Sequence, residues 1–126
     1  MKLAVRLTVM VLVVVSLASP VTQAGADDNM LLTVFLKHDQ SMDLDEIKEH
    51  LADKNFWVEF PPAGVEIVSW RIVMGIGHVV TLSFPPARLR EVNLALESKA
   101  WGAFRTEFYP TYDYLEIVKS RRNAKR

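Results

Sequence analysis

Between Leu7 and Ala18 only Thr8 and Ser16 interrupt an apolar run, Lys2 and Arg6 stand before it, and Ala24-Gly25-Ala26 follows. A basic start, roughly a dozen apolar residues and a small-x-small site describe a secretory signal peptide, and the run is short of the ~20 residues that span a bilayer. Cleavage after Ala26 is expected, giving a secreted or periplasmic protein without stable membrane insertion; an uncleaved anchor is the alternative. From Met30 the pattern changes. Met30-Leu31-Leu32-Thr33-Val34-Phe35-Leu36-Lys37 is continuous, β-branched and aromatic, which predicts a strand. Asp43 with Glu46 forms a capping box, and Leu44, Ile47 and Leu51 recur at helical spacing, so a first helix is expected to about Lys54.

Pro61-Pro62 and Gly64 mark a loop, Val65 to Met74 predicts a second strand, Gly75-Ile76-Gly77 a tight turn and His78 to Phe84 a third strand. Pro85-Pro86 opens a second helix whose stripe is Leu89, Val92 and Leu96, running through Lys99. Trp101, Phe104 and Phe108 suggest an irregular or helical turn, Tyr112 to Val118 predicts strand four, and Lys119 to Arg126 a basic flexible tail. The expected organisation is a signal peptide over 1–26, one domain over 27–118 and the tail over 119–126.

The order β-α-β-β-α-β is the split βαβ of an α+β, ferredoxin-like domain: an antiparallel sheet, strand one beside strand three, both helices on one face. Alternate side chains leave opposite faces of a strand. Met30, Leu32, Val34 and Leu36, with Val80, Leu82 and Phe84, suit the helix side. The opposite sets are Leu31, Thr33, Phe35 and Lys37, then Val79, Thr81 and Ser83, then Ile67, Ser69, Arg71 and Val73. That face is too apolar for water and too polar for a dry core. It suits a sheet that meets a second copy of itself through Leu31, Phe35 and Ile67 around a semi-polar cavity, a homodimer or higher oligomer in the form of a dimeric α/β barrel.

Composition narrows the picture. Half of the 126 residues are apolar, and 15 basic residues balance 15 acidic ones. This excludes a disordered chain and gives no support to a dedicated nucleic-acid binder. With no cysteine, a lipid anchor on cysteine and a disulfide are both excluded, so stability comes from packing or association. No Gly-rich phosphate loop, serine nucleophile elbow or cysteine-based metal site is present, and no cofactor is implied.

The segment Ser69-Trp70-Arg71-Ile72, the glycine turn and His78, together with Phe108-Tyr109-Pro110-Thr111-Tyr112-Asp113, resembles the corresponding stretches of muconolactone isomerases, which are small dimeric α/β-barrel proteins. In element order the resemblance spans roughly residues 30 to 118. It implies isomerisation of a lactone or cyclic acid by proton transfer in the barrel cavity.

Two constellations are candidates for chemistry. Antiparallel pairing of strands one and three brings His38 and His78 to one sheet edge with Asp39 close by, a set able to relay a proton or bind zinc. The alternative is strand-end histidines hydrogen bonded to loop backbone. On the cavity face stand Arg71, Ser69, Thr33 and Thr81, with Lys37 and with Tyr112 or Asp113 from strand four. Arg71 there needs an anion: a ligand carboxylate on its planar fork, or Glu66, Asp113 or a partner's glutamate in an ion pair. The aromatics Trp57, Trp101, Phe104, Phe108, Tyr109, Tyr112 and Tyr114 line a ring-shaped ligand's pocket or fill core and dimer contacts. Two functions follow. One is an exported isomerase or cofactor-free oxygenase acting on a cyclic or aromatic carboxylic acid, with His38, His78 or Tyr112 moving the proton. The other is a non-catalytic exported ligand-binding or dimerisation module.

Overall fold

The computed structural model describes residues 28–125. The expected signal peptide lies outside the described residues, among which no helix is long and apolar enough to cross a membrane. Four strands, β1 (Met30–His38), β2 (Glu66–Val73), β3 (Gly77–Phe84) and β4 (Phe104–Thr111), form one sheet in the order β2-β3-β1-β4, every neighbouring pair antiparallel. The helices are α1 (Leu44–Asp53), α2 (Phe56–Glu59), α3 (Leu89–Lys99) and α4 (Leu115–Asn123), and a 3-10 turn over Pro86–Arg88 leads into α3. The fold is α+β, a small antiparallel sheet with helices, compatible with the ferredoxin-like class.

Local chemistry explains most of the boundaries. Asp43 caps α1 by accepting from the Asp45 and Glu46 amides, and the Glu46 carboxylate returns to the Asp43 N–H at 2.8 Å, so the capping box is complete. Gly75, at φ 82°, makes the β2–β3 turn. Gly77 opens β3 at φ 133°, where any Cβ would stand 2.3 Å from the Leu36 carbonyl oxygen. Only glycine lets the backbones of β1 and β3 come so close.

The core follows the alternation. Leu32, Val34 and Leu36 of β1 and Val80, Leu82 and Phe84 of β3 are buried against Ile47 and Leu51 of α1, Phe56 of α2, and Val92 and Leu96 of α3. On the opposite face the β1 and β3 side chains are mostly half-buried, and among the described residues no helix contributes a buried side chain to it.

Three expectations are corrected. Strand four is Phe104–Thr111, where an irregular turn was expected, and the stretch expected to be that strand is a connector followed by α4. Phe104-Arg105-Thr106-Glu107-Phe108-Tyr109-Pro110-Thr111 alternates, and Pro110 is tolerated because β4 is an edge strand that pairs only with β1. The Asp113 carboxylate accepts from the Leu115 amide at 2.8 Å and so starts a helix where propensity alone predicts extension. The basic stretch expected to be a flexible tail is, to Asn123, part of that helix. Finally, a bulge between Ile67 and Ser69 sets Ile67 opposite Leu82, hence on the helix side of the sheet and not on the face that carries Ser69 and Arg71.

Candidate functional site

The open face is a lattice of four rows, each crossing the sheet, because paired residues share a face. One row runs Ser69, Thr81, Thr33, Tyr109; beside it lies Arg71, Val79, Phe35, Glu107. Beyond these stand Leu31 with Ser83 and Thr111 on one side, and Lys37 with Arg105 on the other. Hydroxyls line the first row. Thr33 Oγ1 is 2.7 Å from Thr111 Oγ1 and 3.4 Å from Thr81 Oγ1. The Phe35 and Tyr109 rings meet edge to face at 5.9 Å.

Tyr109, Glu107 and Lys37 form a second polar group. The Glu107 carboxylate pairs with the Lys37 ammonium and accepts the Tyr109 hydroxyl at 3.1 Å. The lysine, then the tyrosine, hold Glu107 below the usual carboxylate range, and hydrogen bonding to Glu107 raises Tyr109 above the usual phenol value. Near neutral pH this group is an ionised carboxylate beside a protonated phenol. Arg71 and Arg105, by contrast, make no ion pair among the described residues.

Arg71, Ser69, Thr33 and Thr81 are therefore brought together on the open face. Tyr112 and Asp113, expected on strand four, are not on the sheet: both sit in the connector after β4, where Tyr112 is exposed against Tyr114 and Asp113 accepts from the Leu115 amide. Their expected places on the lattice belong to Tyr109 and Glu107.

His38 and His78 do meet, their ring centroids 5.6 Å apart, but on the helix side. The register shows why: His78 lies opposite Leu36, which is fully buried beneath the helices, and His38 opposite Phe104. Trp70 Nε1–H donates to His78 Nδ1 at 2.9 Å, which assigns the ring proton to Nε2. Burial first, then the neighbouring His38, pushes His78 below its usual value, so it stays neutral. His38 stacks on Phe104 at 5.7 Å. The Asp39 carboxylate accepts both the backbone amide and the hydroxyl of Ser41, at 3.0 and 2.7 Å, which lowers its pKa, and it is hydrogen bonded to neither imidazole. No group of three metal-ligating side chains is found among the described residues. The third histidine, His50, meets the Trp101 carbonyl at 2.9 Å and packs where Gly102, at φ 96°, leaves space for its ring.

The sheet thus separates the histidines from the arginine. None of the three histidines stands on the face with Arg71, Ser69, Thr33 and Thr81. Glu107 and Arg105 belong to that face and were missed with the strand, as was the strand position of Tyr109, expected only as a pocket or core aromatic; the alternation from Phe104 to Thr111 carries the signal for them. Comparison of the chain with protein-family models, with curated proteins and with solved structures gives no match. Fold and site geometry therefore carry the functional reading.

Proposed function

We propose that this chain is a small ligand-binding α+β protein whose open sheet face closes against a second copy around a semi-polar chamber for a cyclic or aromatic carboxylic acid. The observation that carries the reading is the open face itself: a row of four hydroxyl side chains beside an arginine with no carboxylate partner among the described residues. Arg71 offers a planar fork to a carboxylate, the hydroxyls accept or donate to ring substituents, and Phe35, Val79 and Leu31 supply apolar contact. Closure by a second copy would exclude water and strengthen the arginine's hold on an anion. The export signal would place the protein in a secreted or periplasmic setting.

The enzyme reading, an isomerase or cofactor-free oxygenase in the manner of muconolactone isomerase-like proteins, is favoured by one feature, the Tyr109–Glu107–Lys37 group. There the phenol's single proton is donated to Glu107, and it would have to leave that carboxylate to serve a developing oxyanion. A general base is harder to supply, since Glu107 is a weakened base and the three histidines lie elsewhere. Binding without turnover is the better-supported form of the proposal.

Calorimetric titration with benzoate and cyclohexanecarboxylate tests it. The parent protein is expected to bind at least one of them, and Arg71→Lys to bind it more weakly with the melting temperature unchanged. An Arg71→Ala protein that binds both as the parent does would remove the arginine from the site. Conversion of either acid, or of an unsaturated lactone, would shift the reading toward the enzyme.

A further inference from the structure

Among the described residues, no element packs extensively over the C-terminal helix. No residue of α4 is buried, and Leu115 and Ile117 are exposed, as are Tyr112 and Tyr114 just before it. A helix of nine residues is marginal in water, and its stability ordinarily comes from packing an apolar face. This helix instead shows water a face on which apolar and basic side chains interleave. Tyr114, Val118, Arg121 and Lys125 follow at spacings of three and four, with Arg122 alongside, and together they line one shallow concavity. No carboxylate lies on that face. Glu116 points elsewhere and is taken by Lys119 at 2.6 Å, while Arg121 rests 5.6 Å from the centre of the Tyr114 ring. A protein with no net charge overall has gathered three cations, none in an ion pair among the described residues, on one side of its last helix and the turn after it.

We propose that this face is a docking surface for an anionic phospholipid bilayer, lying on it and not crossing it. Charge complementarity selects an anionic partner: each lysine or arginine held near such a surface adds to the attraction, and the three act together. The side chains between them select lipid over nucleic acid. Tyr114 and Tyr112 have amphipathic rings of the kind that settle at headgroup level, and Leu115 and Val118 offer aliphatic surface to the acyl boundary. A nucleic-acid groove would gain little from those aliphatic groups. This surface lies on a different element from Arg71 and the hydroxyl row, so it stands independently of the chamber proposed above.

The test is vesicle flotation of the full chain, with phosphatidylcholine vesicles that lack or contain about a third of phosphatidylglycerol. The parent is expected to float with the anionic vesicles only, and to be released when salt is raised from about 0.05 to about 0.5 M. The variant R121E/R122E/K125E removes no buried contact, and its circular dichroism should match the parent's. It should partition at least about tenfold more weakly, and Tyr114→Ser with Leu115→Ser should weaken partition at unchanged charge. Equal flotation of the parent with neutral vesicles, or of the charge-reversed variant with anionic ones, would overturn the proposal and assign binding to the apolar run Leu7 to Ala18. Absence of flotation with the anionic vesicles at low salt would also overturn it. So would tighter binding of the parent to duplex DNA than to the vesicles at the same salt, in favour of a nucleic-acid surface.

Discussion

The two faces of one sheet are built from the same strands by strict alternation, and they obey different rules. On the helix side Val34, Leu36, Val80, Leu82 and Phe84 are fully buried. One residue away in sequence, Thr33, Phe35, Val79 and Thr81 are half-buried and form a surface of hydroxyls, one ring and one methyl cluster. The first face gains its free energy by removing apolar area from water, about 25 cal/mol per Å², and tolerates neither cavities nor charge. The second leaves part of that stabilisation unused and keeps polar groups in register across the sheet. A face that served only the fold would alternate with charged, fully solvated side chains. This one keeps hydroxyls and aromatic edges half-covered, the feature on which the proposed closure by a second copy rests.

Adjacent residues on the two faces break the comparison most sharply. Leu82→Ala should cost about 2 to 5 kcal/mol in denaturant unfolding, the range for truncating a fully buried leucine. Its neighbour Thr81→Ala should cost less than about 1 kcal/mol. Equal losses would mean that the open face is also core. Next in size is Arg71→Lys, for which titration with benzoate should show a loss of about 1 to 3 kcal/mol in binding while the melting temperature stays put. A fall in melting temperature instead would reveal an ion pair that the described residues do not contain. Asp43→Ala tests the helix layer alone. It opens both halves of the capping box and should lower stability by about 0.5 to 2 kcal/mol without touching ligand binding.

The smallest effect concerns pH. His78 has its pKa below the ordinary value near 6.5, so as pH falls through that value the unfolded chain takes up a proton that the folded chain refuses. Stability should therefore decline from about pH 7 toward pH 5. His78→Gln keeps an acceptor for the Trp70 indole, removes the titrating group and should flatten the slope. An unchanged slope would place its origin elsewhere.

How far the two faces could be read in advance depended on what each strand had for neighbours. β1 and β3 are central, their apolar parity is unbroken, and alternation assigned Met30 to Lys37 and Val79 to Phe84 to the correct sides. The capping box of α1 and the stripe Leu89, Val92, Leu96 of α3 were equally plain. The edge strands were not. In β2 the extra residue at Val68 inverts the parity of Ile67, and a bulge leaves no mark in the apolar pattern. In β4, Arg105, Glu107 and Pro110 dilute strand propensity, whereas Tyr112-Asp113-Tyr114-Leu115-Glu116-Ile117-Val118 has strand-like composition and turns helical after the Asp113 carboxylate takes the Leu115 amide. That displacement hid Glu107 and Tyr109 and put Tyr112 and Asp113 in their place. The histidine pair was visible as a pair. Its face was not, because the last residue of β1 had been read with the loop.

Closure of the open face by a second copy is the central claim, and light scattering of the purified protein at micromolar concentration tests it directly. The parent should scatter as a particle of twice the chain mass, and Phe35→Arg, which sets a charge in the middle of the face, as a folded particle of single mass. A monodisperse, single-mass parent at that concentration, or a Phe35→Arg protein that keeps the doubled mass, would contradict it.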